Sequence, residues 1–137
     1  MTLKEIMERC RMLGVDQQRH RSDAYHELVF YQAEIDQWTK IFSGIFGPAV
    51  KPEGAKPTKA LLHLTRDYGG IWPGQTLFKK DFDDVTVIAM FWPWQDGIHA
   101  TLKMALLEKQ QLEVTPSSQR TGLGLAGLRV RLGKILF

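Results

Sequence analysis

Apolar and polar positions alternate most cleanly over residues 98–106. Ile98, Ala100, Leu102, Met104 and Leu106 share one parity, and His99, Thr101 and Lys103 take the other. A period of two belongs to a strand with one face turned inward. Immediately upstream, residues 85–92 (VTVIAMFW) are apolar on both parities, as expected of a strand covered on both sides. Between them lies Pro93-Trp94-Gln95-Asp96-Gly97, whose Asp-Gly pair suits the positive φ of a hairpin turn. Residues 84–107 therefore predict a central antiparallel hairpin.

Toward the N-terminus the period changes to that of a helix. Thr2 and Glu5 match a capping box, and Leu3, Ile6, Met7, Cys10 and Leu13 recur at helical spacing before Gly14, predicting a helix over 3–13. After a polar connector, Ser22 or Asp23 is placed to cap a second helix. Ala24, Leu28, Tyr31, Ile35, Trp38, Phe42 and Ile45 follow in alternating steps of four and three, and Val29, Phe30, Ile41 and Phe46 widen that seam. A long apolar helix ending near Gly44, Gly47 and Pro48 is expected.

The loop 47–59 holds three prolines, two glycines and three lysines, and at that length is either functional or mobile. Residues 60–65 (ALLHLT) are read as a strand in preference to a helical turn, and 75–80 as a short strand before a charged turn at 79–84. Residues 108–120 form a polar linker. In the tail 121–137 both helical and strand spacings occur, and a strand over 127–132 is the expectation. The chain is thus predicted to be a single α+β domain over residues 1–137. An N-terminal helix pair (2–47), a short helix and then a long apolar one, would pack on an antiparallel sheet of three to five strands drawn from residues 60–107.

Composition narrows the functional classes without selecting one. The 137 residues are 44% hydrophobic and 24% charged, with a formal net charge of +3, the profile of an ordinary globular chain. The single cysteine, Cys10, excludes an intramolecular disulfide and a CxxC zinc site, and its apolar neighbours mark it as a small buried hydrophobe. The charged first helix has no signal-peptide character, and no run nears the ~18 apolar residues of a membrane span. No membrane span is expected, and the expected compartment is the cytoplasm.

Several residues carry candidate chemistry. Asp23, His26 and Glu27 stand at i, i+3 and i+4, so on a helix they share one face and, with His20, offer carboxylate and imidazole to a divalent metal. Capping and first-turn charges explain the same residues, and no metal is expected. Asp81, Asp83 and Asp84 are read as a charged hairpin turn. Trp72, Trp92 and Trp94 lie at turns beside Pro73 or Pro93, where large rings line a ligand groove, anchor an interface or cap the core. His63 and His99, on expected strands, would be general-base candidates if they faced one pocket. Thr121-Gly122-Leu123-Gly124-Leu125-Ala126 resembles the second glycine box of histidine-kinase ATP-binding domains, where glycines let backbone amides approach phosphate. That family's asparagine box and Asp-x-Gly-x-Gly box do not occur upstream, so the chain is not assigned to it.

The leading expectation is a non-catalytic binding or interaction domain that self-associates, as a homodimer or other homo-oligomer, through an apolar sheet face. The alternative is a small-molecule-binding protein or small enzyme. Its pocket between helix and sheet would be lined by Trp72, Trp92 and Trp94, with His63 or His99 as polar group. A third is nucleic-acid binding by a basic patch that joins Arg9, Arg11, Arg19 and Arg21 to Arg120, Arg129, Arg131 and Lys134. No cofactor is implied by any motif.

Overall fold

In the computed structural model, which describes residues 1–108, three helices and five strands follow one another in a mixed order. These are α1 (Leu3–Arg9), β1 (Gln17–Arg21), β2 (Tyr25–Tyr31), α2 (Ile35–Phe46), α3 (Lys59–Thr65), β3 (Thr76–Phe82), β4 (Val85–Pro93) and β5 (His99–Glu108). The strands form one antiparallel sheet in the order β1-β2-β5-β4-β3. The chain is α+β, with an N-terminal helix packed on the sheet, as its pattern predicts. The tail, with its glycine box and its basic residues, and all of the linker after Glu108 lie outside the described residues.

The central hairpin dictates the layering. Strand alternation turns Val87, Ala89 and Phe91 of β4, with Ala100, Leu102 and Met104 of β5, toward α1 and α2. They pack there with Leu3, Ile6, Phe30, Trp38, Phe42 and Phe78. The Phe42 ring lies 5.3 Å from that of Phe91 and 5.9 Å from that of Phe78, within the range of favourable aromatic pairs. Truncating a ring of this size in such a core costs about 3–5 kcal/mol. On the opposite face Leu77, Ile88, Met90, Ala105 and Leu107 are buried beneath Leu61 and Leu64 of α3. Both faces of β4 are therefore covered by helices of the same chain.

Three elements depart from expectation. The predicted long helix is divided: residues 25–31 are β2, and only Ile35–Phe46 is helical, burying Trp38, Phe42, Ile45 and Phe46. Tyr25, Val29, Phe30 and Tyr31 are β-branched or aromatic and favour a pleated surface. The residues read as a helix cap instead close a hairpin: Ser22 Oγ accepts from Tyr25 N at 3.1 Å, and Ser22 N donates to Tyr25 O at 2.9 Å. The polar connector becomes the edge strand β1, exposed along its whole length, so no apolar period announced it. Residues 60–65 are helical and not a strand, because Thr58 Oγ1 caps Leu61 N and the leucines suit a helix turn.

Past α3 a 3-10 turn (Arg66–Tyr68) runs into Gly69, whose φ is +96°. A Cβ there would stand 2.6 Å from Trp92 Cη2 and 3.1 Å from Lys103 Nζ. Gly69→Ala is expected to lower stability by about 1–3 kcal/mol, from a strained left-handed backbone and a displaced indole. A urea midpoint equal to that of the wild type would show that Trp92 does not pin this turn.

Candidate functional site

The sheet face beneath α3 has two halves. Under the helix it is apolar. Toward β2 and β1 it carries a ladder of aromatic and charged side chains set by register, since Glu27 of β2 lies opposite Lys103 of β5. Lys103 Nζ sits 3.5 Å above the Trp92 ring centroid and donates to Tyr68 O at 3.0 Å. Burial holds its ammonium below the usual lysine range, while Glu27 opposes that shift. Tyr25 donates to Glu27 Oε1 at 2.7 Å and stacks on Tyr68 with centroids 5.6 Å apart. Arg19 reaches Glu27 Oε2 at 3.9 Å and lies 5.4 Å from the Trp94 ring centroid. Each cation in the ladder already has a ring and an acceptor, so this half-face is a self-contained cover for the sheet.

At the outer end of the ladder stands His99. Its Nδ1 is 2.6 Å from Asp96 Oδ2, and its Nε2 is 3.6 Å from Asp16 Oδ2. Tyr31 donates to Asp16 Oδ1 at 2.6 Å, and Trp94 lies 4.8 Å from the imidazole, ring to ring. Trp94 Nε1 donates to Thr101 Oγ1 at 2.8 Å. The Asp96 carboxylate also accepts from the backbone N–H of Ile98 and of His99, closing the β4–β5 turn. The His99 contact, then these two amides, hold its carboxyl at about 2, below the ordinary 3.8. With a carboxylate at each nitrogen, His99 is a tie between the connector at Asp16 and the turn at Asp96. As a general base it would first have to break one of those contacts.

The other face of α3 shows a different surface. Trp72, 62% exposed, borders an open apolar groove of about 380 Å³ formed with Lys56, Pro57, Leu62, Ile71 and Pro73. Beneath it the loop is tightly bonded. Trp72 N donates to Gln75 Oε1 at 3.0 Å, and Gln75 N donates to Trp72 O at 3.0 Å. Lys51, 1% exposed, bridges to Leu77 at the β3 edge and donates from Nζ to the carbonyls of Pro52, Pro73 and Gln75. The part of loop 47–59 that contains Lys51 is thus anchored to the sheet.

The residues singled out from sequence are distributed over these surfaces. His99 and Trp94 are together, Trp92 belongs to the Lys103 ladder, and Trp72 belongs to the groove. His63 is exposed on α3, and among the described residues no hydrogen bond, ion pair or ring contact joins it to His99. The proposed metal face of His20, Asp23, His26 and Glu27 does not form, because β1, β2 and their turn replace the helix that would have aligned them. Strand alternation buries His26 on the α1–α2 side and leaves Glu27 opposite, and among the described residues no three histidine, cysteine, aspartate or glutamate side chains gather for a metal. Cys10 is buried, and burial pushes its thiol up to about 12, so it remains protonated and unreactive. Asp81 accepts from Thr86 Oγ1 within the β3–β4 hairpin. Sequence reading missed Lys51 and Lys103. Nothing marks Lys51 among the loop lysines, whereas Lys103 was accessible from register, as a diagonal neighbour of Trp92 once the hairpin is aligned.

No protein-family model matches the chain, and no curated protein and no solved structure matches it.

The His99 tie has a measurable consequence. Followed by carboxyl NMR, Asp96 is expected to titrate near 2 in the wild type and to move up toward the ordinary carboxylate range in His99→Ala. Because the folded value is depressed, the contribution of Asp96 to stability is complete above 3.8 and is lost as pH falls through about 2. An unchanged Asp96 titration in the variant would remove His99 as the principal cause.

Proposed function

We propose that this protein is a non-catalytic interaction module that docks an acidic segment of another protein. One apolar side chain of that segment would enter the groove beside Trp72. The observation that carries the reading is Trp72 itself. A tryptophan 62% exposed, at the mouth of an apolar groove and on a firmly bonded loop, has the character of an interface anchor. The charge of the partner follows from the rim. Lys56 lines the groove, which has no acidic residue in its wall, and Lys59 is one helical turn from Leu62 on α3. Aliphatic and proline side chains around a single exposed ring favour a protein side chain over stacked bases, which need successive aromatic platforms.

This keeps the interaction class that the sequence suggested and moves the surface from the sheet to the groove. The apolar cover that residues 85–92 call for is supplied by α1, α2 and α3 of the same chain.

The test is a fluorescence and light-scattering titration of the whole chain with a blocked peptide bearing one phenylalanine between pairs of glutamates. Saturable binding that weakens with salt and falls at least about tenfold in Trp72→Ala, roughly 1.4 kcal/mol, is the expected result. Binding unaffected by Trp72→Ala contradicts the reading. So does preferential binding of an oligothymidylate, which would assign the groove to nucleic acid. A concentration-dependent rise in mass that Trp72→Ala abolishes would assign it to a second copy of the chain.

A further inference from the structure

Lys51 is a buried lysine without an acidic partner among the described residues: its side chain is 1% exposed, and no carboxylate among them lies within ion-pair distance of it. Burial accordingly holds its ammonium below the ordinary lysine range, with Glu53 opposing the shift. What surrounds the nitrogen is oxygen from the main chain: Pro52 O at 2.8 Å, Pro73 O at 2.9 Å and Gln75 O at 2.5 Å. An ammonium has three N–H donors, and here each has a carbonyl. The ammonium thus fills a cradle of three main-chain carbonyls.

The three carbonyls come from two segments that neighbouring backbone bonds also join. Pro52 follows Lys51 in the loop after α2, whereas Pro73 and Gln75 belong to the turn that begins at Trp72. Gly54 N also donates to Pro73 O, at 2.7 Å. On the far side, Lys51 N and O exchange bonds with Leu77 at 3.2 and 2.9 Å, fastening the lysine backbone to β3. The ammonium thus joins the sheet edge to the Trp72 turn. Without its ammonium, the carbonyls of Pro52, Pro73 and Gln75 would each lose a charge-assisted bond, and of the three Pro73 O would keep the bond from Gly54 N. The backbone bonds to Leu77 do not involve Nζ, so the loss falls on the turn and spares the sheet.

We infer that Lys51 is the positioning residue of the groove: its ammonium serves as a built-in structural cation that holds the Trp72 turn in its docking shape. The functional weight of this inference rests on the groove being the docking surface, but the order of the turn can be read without any partner.

The experiment uses the full chain labelled with 5-fluorotryptophan, its four fluorine lines assigned by Trp→Phe variants at positions 38, 72, 92 and 94. Lys51→Met keeps the length of the side chain and removes the donors. The expected result is that the Trp72 line shifts or broadens while the Trp38 and Trp94 lines keep their positions. In Lys51→Ala, n-propylammonium is expected to restore the native Trp72 line, because it returns three N–H donors to the vacated space. Tetramethylammonium, equal in charge but without a donor, is expected not to. An unmoved Trp72 line in Lys51→Met overturns the inference. Loss of all four native lines also overturns it, since Lys51 would then be a requirement of the whole fold. Equal restoration by tetramethylammonium rejects the hydrogen-bonding role. If the Trp72 line responds as expected while the acidic peptide fails to bind the wild type, the docking reading falls and the positioning role stands.

Discussion

Everything in this fold answers to a strand that cannot face water on either side. β4 puts Val87, Ala89 and Phe91 on one face and Ile88 and Met90 on the other, and all five are fully buried. Leaving either row exposed would forfeit about 25 cal/mol for each Å² of apolar surface returned to water. The two helical layers supply the cover. α1 and α2 seal the aromatic side, and the short helix α3 seals the other. α3 is brief for that task, spanning Lys59–Thr65. The sheet beyond its reach is closed by side chains of the sheet itself, with cations laid on Trp92 and Trp94 and Glu27 between them.

That division of labour separates structural from available chemistry. The Lys103–Trp92 and Arg19–Trp94 pairs look functional in isolation, as does the His99–Asp96 contact. Yet each of their charges is matched within the fold. The groove is different. It exists because α3 and the Trp72 turn are both held against the sheet without meeting over their outer surfaces, leaving Leu62 and Trp72 exposed between Lys56 and Pro57. A buried ammonium with only main-chain partners is an expensive way to hold a turn, and a turn presenting an exposed tryptophan is a reason to hold one.

Much of the sheet was legible before any coordinates. The hairpin of β4 and β5 announced itself through period two, its Asp-Gly turn and its doubly apolar first strand. The C-terminal half of the predicted heptad seam, Ile35 to Ile45, is truly helical. The N-terminal half is a strand: Leu28 and Phe30, two residues apart, share one strand face, and the aromatic and β-branched Tyr25, Val29, Phe30 and Tyr31 favour a pleated surface. β1 had no apolar pattern at all, since the edge strand QQRHR is held by backbone bonds and by polar side chains such as Arg19, which meets Glu27 and Trp94. In the site, the tryptophans were identifiable as unusual, but which one stays exposed depends on where α3 lies. The role of Lys51 was invisible, because three carbonyls 1, 22 and 24 residues away in sequence carry no side-chain signature.

The central claim is that β4 receives its cover from its own chain, on which the proposal of the groove as the docking surface depends. Amide hydrogen exchange of β4 and β5, followed over a wide range of protein concentration, addresses it directly. The account predicts slow exchange at Val87–Phe91 and Leu102–Ala105 that is the same in dilute and concentrated samples. Protection that disappears on dilution would mean that a second subunit covers the sheet, and would contradict it.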